Sequence, residues 1–271
     1  MNEERPAPWD LDVAVLSDKG TERLHNEDSC VSYLERPGCA VVAVADGVSG
    51  DEGGEVASQT ALEALVSAYR DEAPALAAGQ RLHRAVQNAN IAVYDRASVV
   101  PELRGMSTTL TAVAVDRGEL TCVHVGDSRL YLLSGGAITQ LTKDHTVAAE
   151  RERMGIISAE RARTHPDRSV LTRSLGRELI VNRDRISRRV LQGEALLLCS
   201  DGLYNVLSDE EILSIASGLD AAAACRTLVE AANSRGTSDN VTAALVRVVG
   251  ETPGAPAPAG LRARLRNLLG G

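Results

Sequence analysis

The chain has 271 residues, a formal charge of −8, 44% hydrophobic and 24% charged side chains, the balance of a soluble globular protein with a large core. It holds one Trp, five Tyr and no Phe, and Lys19 and Lys143 are its two lysines beside 27 arginines, so base stacking in a basic groove is excluded as its chemistry. No apolar run approaches the roughly 20 residues that cross a bilayer. The polar, acidic start MNEERPAPWD does not read as a secretory leader, which makes a cytoplasmic location the expectation.

In chain order, Val- and Leu-rich runs predict strands at 11–16, 30–34 and 39–45. Helices follow at about 52–70 and 79–99, where apolar residues recur every three or four positions. Strands return at 108–115, 119–125, 129–133 and 195–199, helices near 208–217 and 220–233, and a last strand at 241–249. Strands joined by short polar turns, as across 108–133, are expected to pair antiparallel. Strand groups followed by helix groups indicate an α+β layered domain rather than a doubly wound sheet. Cys30, Cys39, Cys122, Cys199 and Cys225 contain no CxxC pair and read as small reduced core residues.

The segment 134–190 differs: between 151 and 189 it carries 11 Arg against five acids, leaving the rest of the chain near −14. Such a basic insertion is either a surface flap over something anionic or a solvated hairpin whose arginines pair with nearby carboxylates. After residue 250 a Pro/Ala stretch at 251–260 reads as a linker, and 261–271 as a short basic amphipathic tail. The expected organisation is therefore one domain over 1–250, then linker and tail.

Chemistry concentrates in aspartates at strand ends. Asp46 ends CAVVAVA and precedes Gly47, Asp127 follows TCVHVG, Asp201 follows ALLLCS, and Asp239 opens the last strand. One such residue is usually a turn former or helix cap. Four brought together would repel one another strongly unless a cation sits among them. The histidines (25, 83, 124, 145 and 165) are scattered without zinc-like spacing. An all-oxygen donor set suits Mg²⁺ or Mn²⁺, and two such ions support in-line phosphoryl displacement. SDKGTERLHNEDS, just after the first strand, adds Arg23 beside Glu27 and Asp28; a guanidinium can hold two phosphate oxygens, though a surface turn with an ion pair would look the same.

Seven motifs stand in order at 20–28, 45–54, 105–110, 125–129, 142–145, 199–203 and 238–242: Gly-x-x-Arg-x-x-Asn-Glu-Asp, Ala-Asp-Gly-Val-Ser-Gly-x-x-Gly-Gly, Gly-Met-Ser-Thr-Thr-Leu, Val-Gly-Asp-Ser-Arg, Thr-Lys-Asp-His, Cys-Ser-Asp-Gly-Leu and Ser-Asp-Asn-Val-Thr. Over about residues 11–249 the chain resembles the bacterial PPM, or type 2C, metal-dependent protein serine/threonine phosphatases. The resemblance implies an α+β four-layer α-β-β-α sandwich of two antiparallel sheets flanked by helices. It implies hydrolysis of phosphoserine and phosphothreonine by a hydroxide bridging two Mn²⁺ or Mg²⁺ ions, without a covalent intermediate. Asp46 would bridge the ions, with the Gly47 carbonyl on one and Asp201 and Asp239 on the other. Asp28, with Glu27, would hold waters of the second ion, and Asp127, sharing Asp201, a third ion. Arg23 would clamp the phosphate, and a flap at about 144–180 would touch the substrate. The implied partners are phosphorylated proteins, targets of a serine/threonine kinase and the kinase itself; no nucleic-acid partner and no transmembrane segment are expected, and the chain is expected to be a monomer.

The chain departs from the family pattern in two places. Val48 stands where many eukaryotic members carry a histidine proposed as general acid, and His25 is the nearest other imidazole in sequence. Ser107 replaces a usual Gly, tolerable unless that backbone needs a glycine-only conformation. Two alternatives remain: a metal-binding regulatory pseudophosphatase acting through partner binding, which the intact Arg23, Asp46, Asp201 and Asp239 oppose, and an enzyme whose role is partner binding through the tail. Asp10-Leu-Asp12-Val13 matches the nucleophile motif of haloacid-dehalogenase phosphatases, but PAPW precedes it where a buried strand is required.

Overall fold

A computed structural model describes residues 9–48 and 53–251. Except for Glu251, the linker and tail expected after residue 250 lie outside them. The described elements are strands β1 (Trp9–Asp18), β2 (Asp28–Arg36) and β3 (Cys39–Val48), helices α1 (Gly53–Asp71) and α2 (Ala78–Val99), then strands β4 (Ser107–Thr108), β5 (Leu110–Asp116), β6 (Glu119–Val125), β7 (Arg129–Ser134) and β8 (Ala137–Gln140). Helices α3 (Val147–Arg153) and α4 (Ala159–Arg163) precede β9 (Asp184–Arg189) and β10 (Ala195–Cys199). Helices α5 (Asp201–Tyr204), α6 (Asp209–Ala216) and α7 (Ala221–Ser234) lead into β11 (Val241–Glu251).

One sheet has the order β1-β11-β10-β7-β8 and the other β2-β3-β5-β6-β9, with β4 attached to β3, all pairs antiparallel. Strand alternation sorts three apolar layers. Val42 and Val44 of β3, Leu196 and Leu198 of β10, and Ala244, Val246 and Val248 of β11 meet between the sheets. Val41, Ala43 and Ala45 face α1 and α2, while Leu197, Cys199, Ala243 and Leu245 face α6 and α7. Because both faces of these strands are covered, they read in sequence as continuous apolar runs rather than alternating ones. The aromatic-poor core of Val, Leu and Ala lets the layers approach closely; Tyr69 and Tyr131 are its largest fully buried side chains.

Four of the cysteines are buried, Cys30 is half-buried, and all five are free, as expected. The pairing expected across 108–133 holds only in part. β5 pairs with β6, but β6 and β7 lie in different sheets, so Gly126, Asp127 and Ser128 form a crossover between layers rather than a hairpin turn. The turn is short in both cases; what differs is whether the chain stays in plane, and turn length does not encode that. Two strands were not anticipated, β8 and β9, since AITQ and DRISRR lack apolar runs; both are edge strands. Asp12 of the discarded nucleophile motif accepts the Ala221 N–H at 2.7 Å, satisfying the first amide of α7, whose N-cap is Asp220.

Candidate active site

The expected site residues gather at one end of the sandwich. Asp46 lies near the end of β3 and pairs in register with Asp28 at the start of β2. Asp201 opens α5 after β10, Asp239 precedes β11, and Asp127 stands on the crossover between sheets. Two close backbone approaches beside these aspartates depend on missing side chains. A Cβ on Gly47 would lie 2.1 Å from the Gly54 carbonyl oxygen, so only glycine lets the start of α1 press on the β3 end. A Cβ on Gly202 would lie 2.0 Å from the Asn240 carbonyl oxygen, so glycine beside Asp201 brings it against the Asp239 loop.

Asp28 is buried, and its Oδ2 accepts from Ser200 Oγ at 2.6 Å and Thr242 Oγ1 at 2.7 Å. Burial nevertheless holds its carboxyl above the usual range, with Asp201 and Asp239 adding repulsion. Asp46 is pushed up further, by burial first and then by Asp28, Asp201, Asp127 and Asp239. Burial followed by Asp201 and Asp144 does the same to Asp127, and burial followed by Asp239 raises Asp201. Asp28, Asp46, Asp127 and Asp201 are thus each raised first by burial and then by at least one other carboxylate of the set.

As placed, no three His, Cys, Asp or Glu side chains among the described residues close round one point as an ion's ligands. Their oxygens are turned to local donors: Asp201 to Asn205 Nδ2 at 3.1 Å, and Asp239 to Arg23 Nη2 at 2.8 Å and to the Asn240 N–H at 2.8 Å. Glu27 Oε1 is buried without a partner, and burial raises the Glu27 carboxyl despite nearby Arg23. The donor set is all oxygen, crowded with negative charge and includes an orphaned carboxylate oxygen. The chemistry of this set therefore fits hard divalent cations.

Arg23 is exposed and does not point into open space: besides Asp239 it donates from Nε to the Ser238 carbonyl at 3.3 Å and lies 3.7 Å from Glu27. The surface ion pair of the sequence reading is present, and it stands beside the carboxylate cluster. Its loop is stapled by Asn240, to which the sequence reading assigned no role. Asn240 Oδ1 accepts the Glu27 N–H at 2.8 Å, and Nδ2 donates to the Lys19 and His25 carbonyls at 2.8 and 2.9 Å. The only signal available was its place inside Ser-Asp-Asn-Val-Thr. The His25 side chain is exposed, and it is the backbone carbonyl that the site uses. Ser107 lies in β4 outside the left-handed region, and its Oγ donates to the Val48 carbonyl at 3.2 Å, so serine is accommodated.

The flap region forms the α3–α4 hairpin. Thr146 and Ser158 cap its helices, and reciprocal hydrogen bonds between Thr108 and Leu175 tie its return to β4. It faces α5 and α6 across a cavity of about 690 Å³ whose lining includes Asp127, Asp201, Lys143, Arg163 and Arg168. The basic excess is smaller than its count of arginines suggested. Arg185, Arg188 and Arg189 belong to β9, and Arg151, Arg153 and Arg173 pair with Asp167, Glu150 and Asp184. Arg161, Arg163, Arg168, Arg177 and Arg183 remain without an ion pair among the described residues, Arg183 bonding instead to Gln87, His83 and the Val181 carbonyl.

Comparison with known proteins agrees with this geometry. Residues 20–249 match the family described as Protein phosphatase 2C. Over 240 residues the chain is 40% identical to the serine/threonine protein phosphatase PstP of Mycobacterium tuberculosis, covering 88% of this chain and 45% of that protein. It is 36% identical over 236 residues to the serine/threonine phosphatase stp of Listeria monocytogenes, covering 85% of this chain and 93% of the other. A crystal structure of the PstP catalytic domain in complex with two manganese ions matches with a TM-score of 0.77 at 38% identity, covering 88% of this chain and 98% of that one. The chain belongs to the protein phosphatase 2C family of metal-dependent serine/threonine protein phosphatases, and it spans less than half the length of the mycobacterial relative. Among the described residues no helix is long and apolar enough to cross a membrane.

Proposed function

We propose that this chain hydrolyses phosphoserine and phosphothreonine in proteins. The observation that carries the reading is the convergence of Asp28, Asp46, Asp127, Asp201 and Asp239 beside Arg23 at one end of the sandwich. Asp46 would be shared by two Mn²⁺ or Mg²⁺ ions, with Gly47 on one and Asp201 and Asp239 on the other. Asp28 and Glu27 would act on the second through water, and Asp127 with Asp201 would hold a third, weaker ion. When bound, such ions neutralise the carboxylates and make water acidic enough to serve as a nucleophile near neutral pH.

The chain's own groups then divide the work. Arg23 binds the phosphate oxygens, exchanging part of its contact with Asp239 for the substrate. Ser200 and Thr242 orient Asp28, Asn240 orients the Arg23 loop, and Asn205 steadies Asp201. Nothing in the reading calls on cysteine: burial pushes the thiols of Cys30, Cys39 and Cys199 up to about 12 and that of Cys225 to about 11, which disfavours the thiolate. The expected substrates are cytoplasmic phosphoproteins, targets of a serine/threonine kinase and the kinase itself, met through the flap.

The test is hydrolysis of p-nitrophenyl phosphate and of a phosphothreonine peptide with Mn²⁺, with and without chelator. Activity should vanish with chelator and in Asp46→Asn and Asp239→Asn. Turnover surviving either treatment would overturn the metal-dependent reading, and an inert wild-type protein with intact Mn²⁺ binding would favour the pseudophosphatase.

A further inference from the structure

Arg129 and Tyr204 lie outside the carboxylate set, yet both bear on Asp127, Tyr204 directly and Arg129 through the Tyr204 ring. Arg129, two residues after Asp127, forks onto Asp144, with Nε 3.1 Å from both carboxylate oxygens and Nη2 2.7 Å from Oδ2. Its Nη1 donates to Tyr131 Oη at 2.9 Å, and Gln140 Nε2 holds Asp144 from the other side at 2.9 Å. The guanidinium carbon sits 3.6 Å from the centroid of the Tyr204 ring, a cation–π stack. Tyr204 lies on the same short helix as Asp201, three residues on, and its hydroxyl donates to the Asp127 carbonyl at 3.0 Å.

The peptide before Asp127 is held as well. The His145 N–H donates to the Gly126 carbonyl at 2.8 Å, and the Gly126 N–H donates to His145 Nδ1 at 3.1 Å. His145 directly follows Asp144, so both grips on the Asp127 backbone return to the Arg129–Asp144 pair. Twisting either peptide would swing the Asp127 carboxylate away from Asp201, because side-chain direction follows the backbone at a fixed Cα. The Tyr204 hydroxyl also bridges the two sheets, since Asp127 stands on the crossover while α5 follows β10.

We infer that Arg129 and Tyr204 are positioning residues that set the separation of Asp127 from Asp201, and with it the affinity of the third cation site. The inference rests on the assignment of that site proposed above. Outer groups that orient metal ligands typically change affinity about 10- to 100-fold when removed. Lysine at 129 cannot both fork and stack, whereas phenylalanine at 204 keeps the stack and deletes only the hydroxyl bond.

The experiment is Mn²⁺ titration followed by the electron paramagnetic resonance signal of the free aqueous ion, on the full chain carrying Tyr204→Phe, Arg129→Lys, Asp127→Asn, or Tyr204→Phe combined with Asp127→Asn. Wild type should bind two ions more tightly and one more weakly. Tyr204→Phe should weaken the last by about 10-fold and leave the first two unchanged. Arg129→Lys should do at least as much. Asp127→Asn should lose the weak site, and adding Tyr204→Phe to it should change nothing further. Tyr204→Phe with wild-type affinities, or with all sites weakened alike, overturns the positioning role. Wild type binding only two ions, or Asp127→Asn still binding three, overturns the site assignment and this inference with it. Thermal melts in chelator separate a folding defect, and Tyr204→Phe should melt within a few degrees of wild type.

Discussion

Arg23 Nη2 lies 2.8 Å from Asp239 Oδ2, so the residue assigned to hold phosphate also holds a carboxylate assigned to hold metal. The pair is partly exposed, and its own contribution to stability is accordingly small. Its importance is geometric: the same guanidinium can hand one edge to an incoming phosphate while the carboxylate turns inward. Arg23→Ala should raise KM for p-nitrophenyl phosphate roughly 10- to 100-fold, the worth of a charged hydrogen bond, with a smaller change in kcat. Steady-state kinetics at saturating Mn²⁺ checks this, and a loss confined to kcat would assign Arg23 to the transition state alone.

Asn240 is buried and makes three side-chain hydrogen bonds to the backbone of the 19–27 segment. Asn240→Ala should cost roughly 2–4 kcal/mol, at about 1 kcal/mol per bond and some unsatisfied carbonyl. Urea unfolding measures the loss. Limited proteolysis should show cleavage between residues 19 and 27 appearing before cleavage elsewhere, and uniform susceptibility would contradict the staple.

The carboxylate cluster predicts an opposition between stability and function. In chelator, carboxyls raised by burial and repulsion contribute stability that is present below their unfolded values and lost as pH rises through the folded ones. At pH 7.5 the ion-free protein therefore carries that penalty. Asp127→Asn should raise the chelator melting temperature by a few degrees, on the scale of 2–4 °C per kcal/mol for a domain of this size. Mn²⁺ should raise the wild-type midpoint more than that of the variant. A lower melting temperature for the variant in chelator would count against the repulsion.

A buried imidazole pair predicts the acid limb. The His124 and His145 ring centroids are 4.8 Å apart. Burial, then the neighbouring His145, lowers His124 to about 3 from an ordinary 6.5, while burial and Arg173 lower His145. The unfolded chain takes up the protons first, so their contribution is complete above about pH 6.5 and declines as pH falls toward 3. The slope reaches about 1.4 kcal/mol per pH unit for each histidine. Denaturant unfolding from pH 7.5 to 5.5 should show this decline, and His124→Asn should flatten it. An unchanged slope in the variant would place the titration elsewhere.

Much of this protein is written locally. The continuous apolar runs around Val42, Leu197 and Ala244 specify strands covered on both faces, since only burial on two sides accepts such runs. The aspartates at 46, 127, 201 and 239 are legible because carboxylates following or preceding those runs must emerge at strand ends, and Asp28 because it stands beside Arg23 in a polar segment after the first strand. Tertiary structure alone decided the rest. Ser200, Thr242, Asn240 and Tyr204 are ordinary polar residues in sequence, and each acquires its role from a partner at least 77 positions away. The turn at Gly126–Ser128 crosses between sheets, and its backbone is held there by His145 and Tyr204, partners that no local propensity encodes. The flap's charge, counted as one basic patch, divides between β9 and a hairpin whose arginines are half spent on Asp167, Glu150 and Asp184. Composition counts charges; only the fold says which of them neutralise one another.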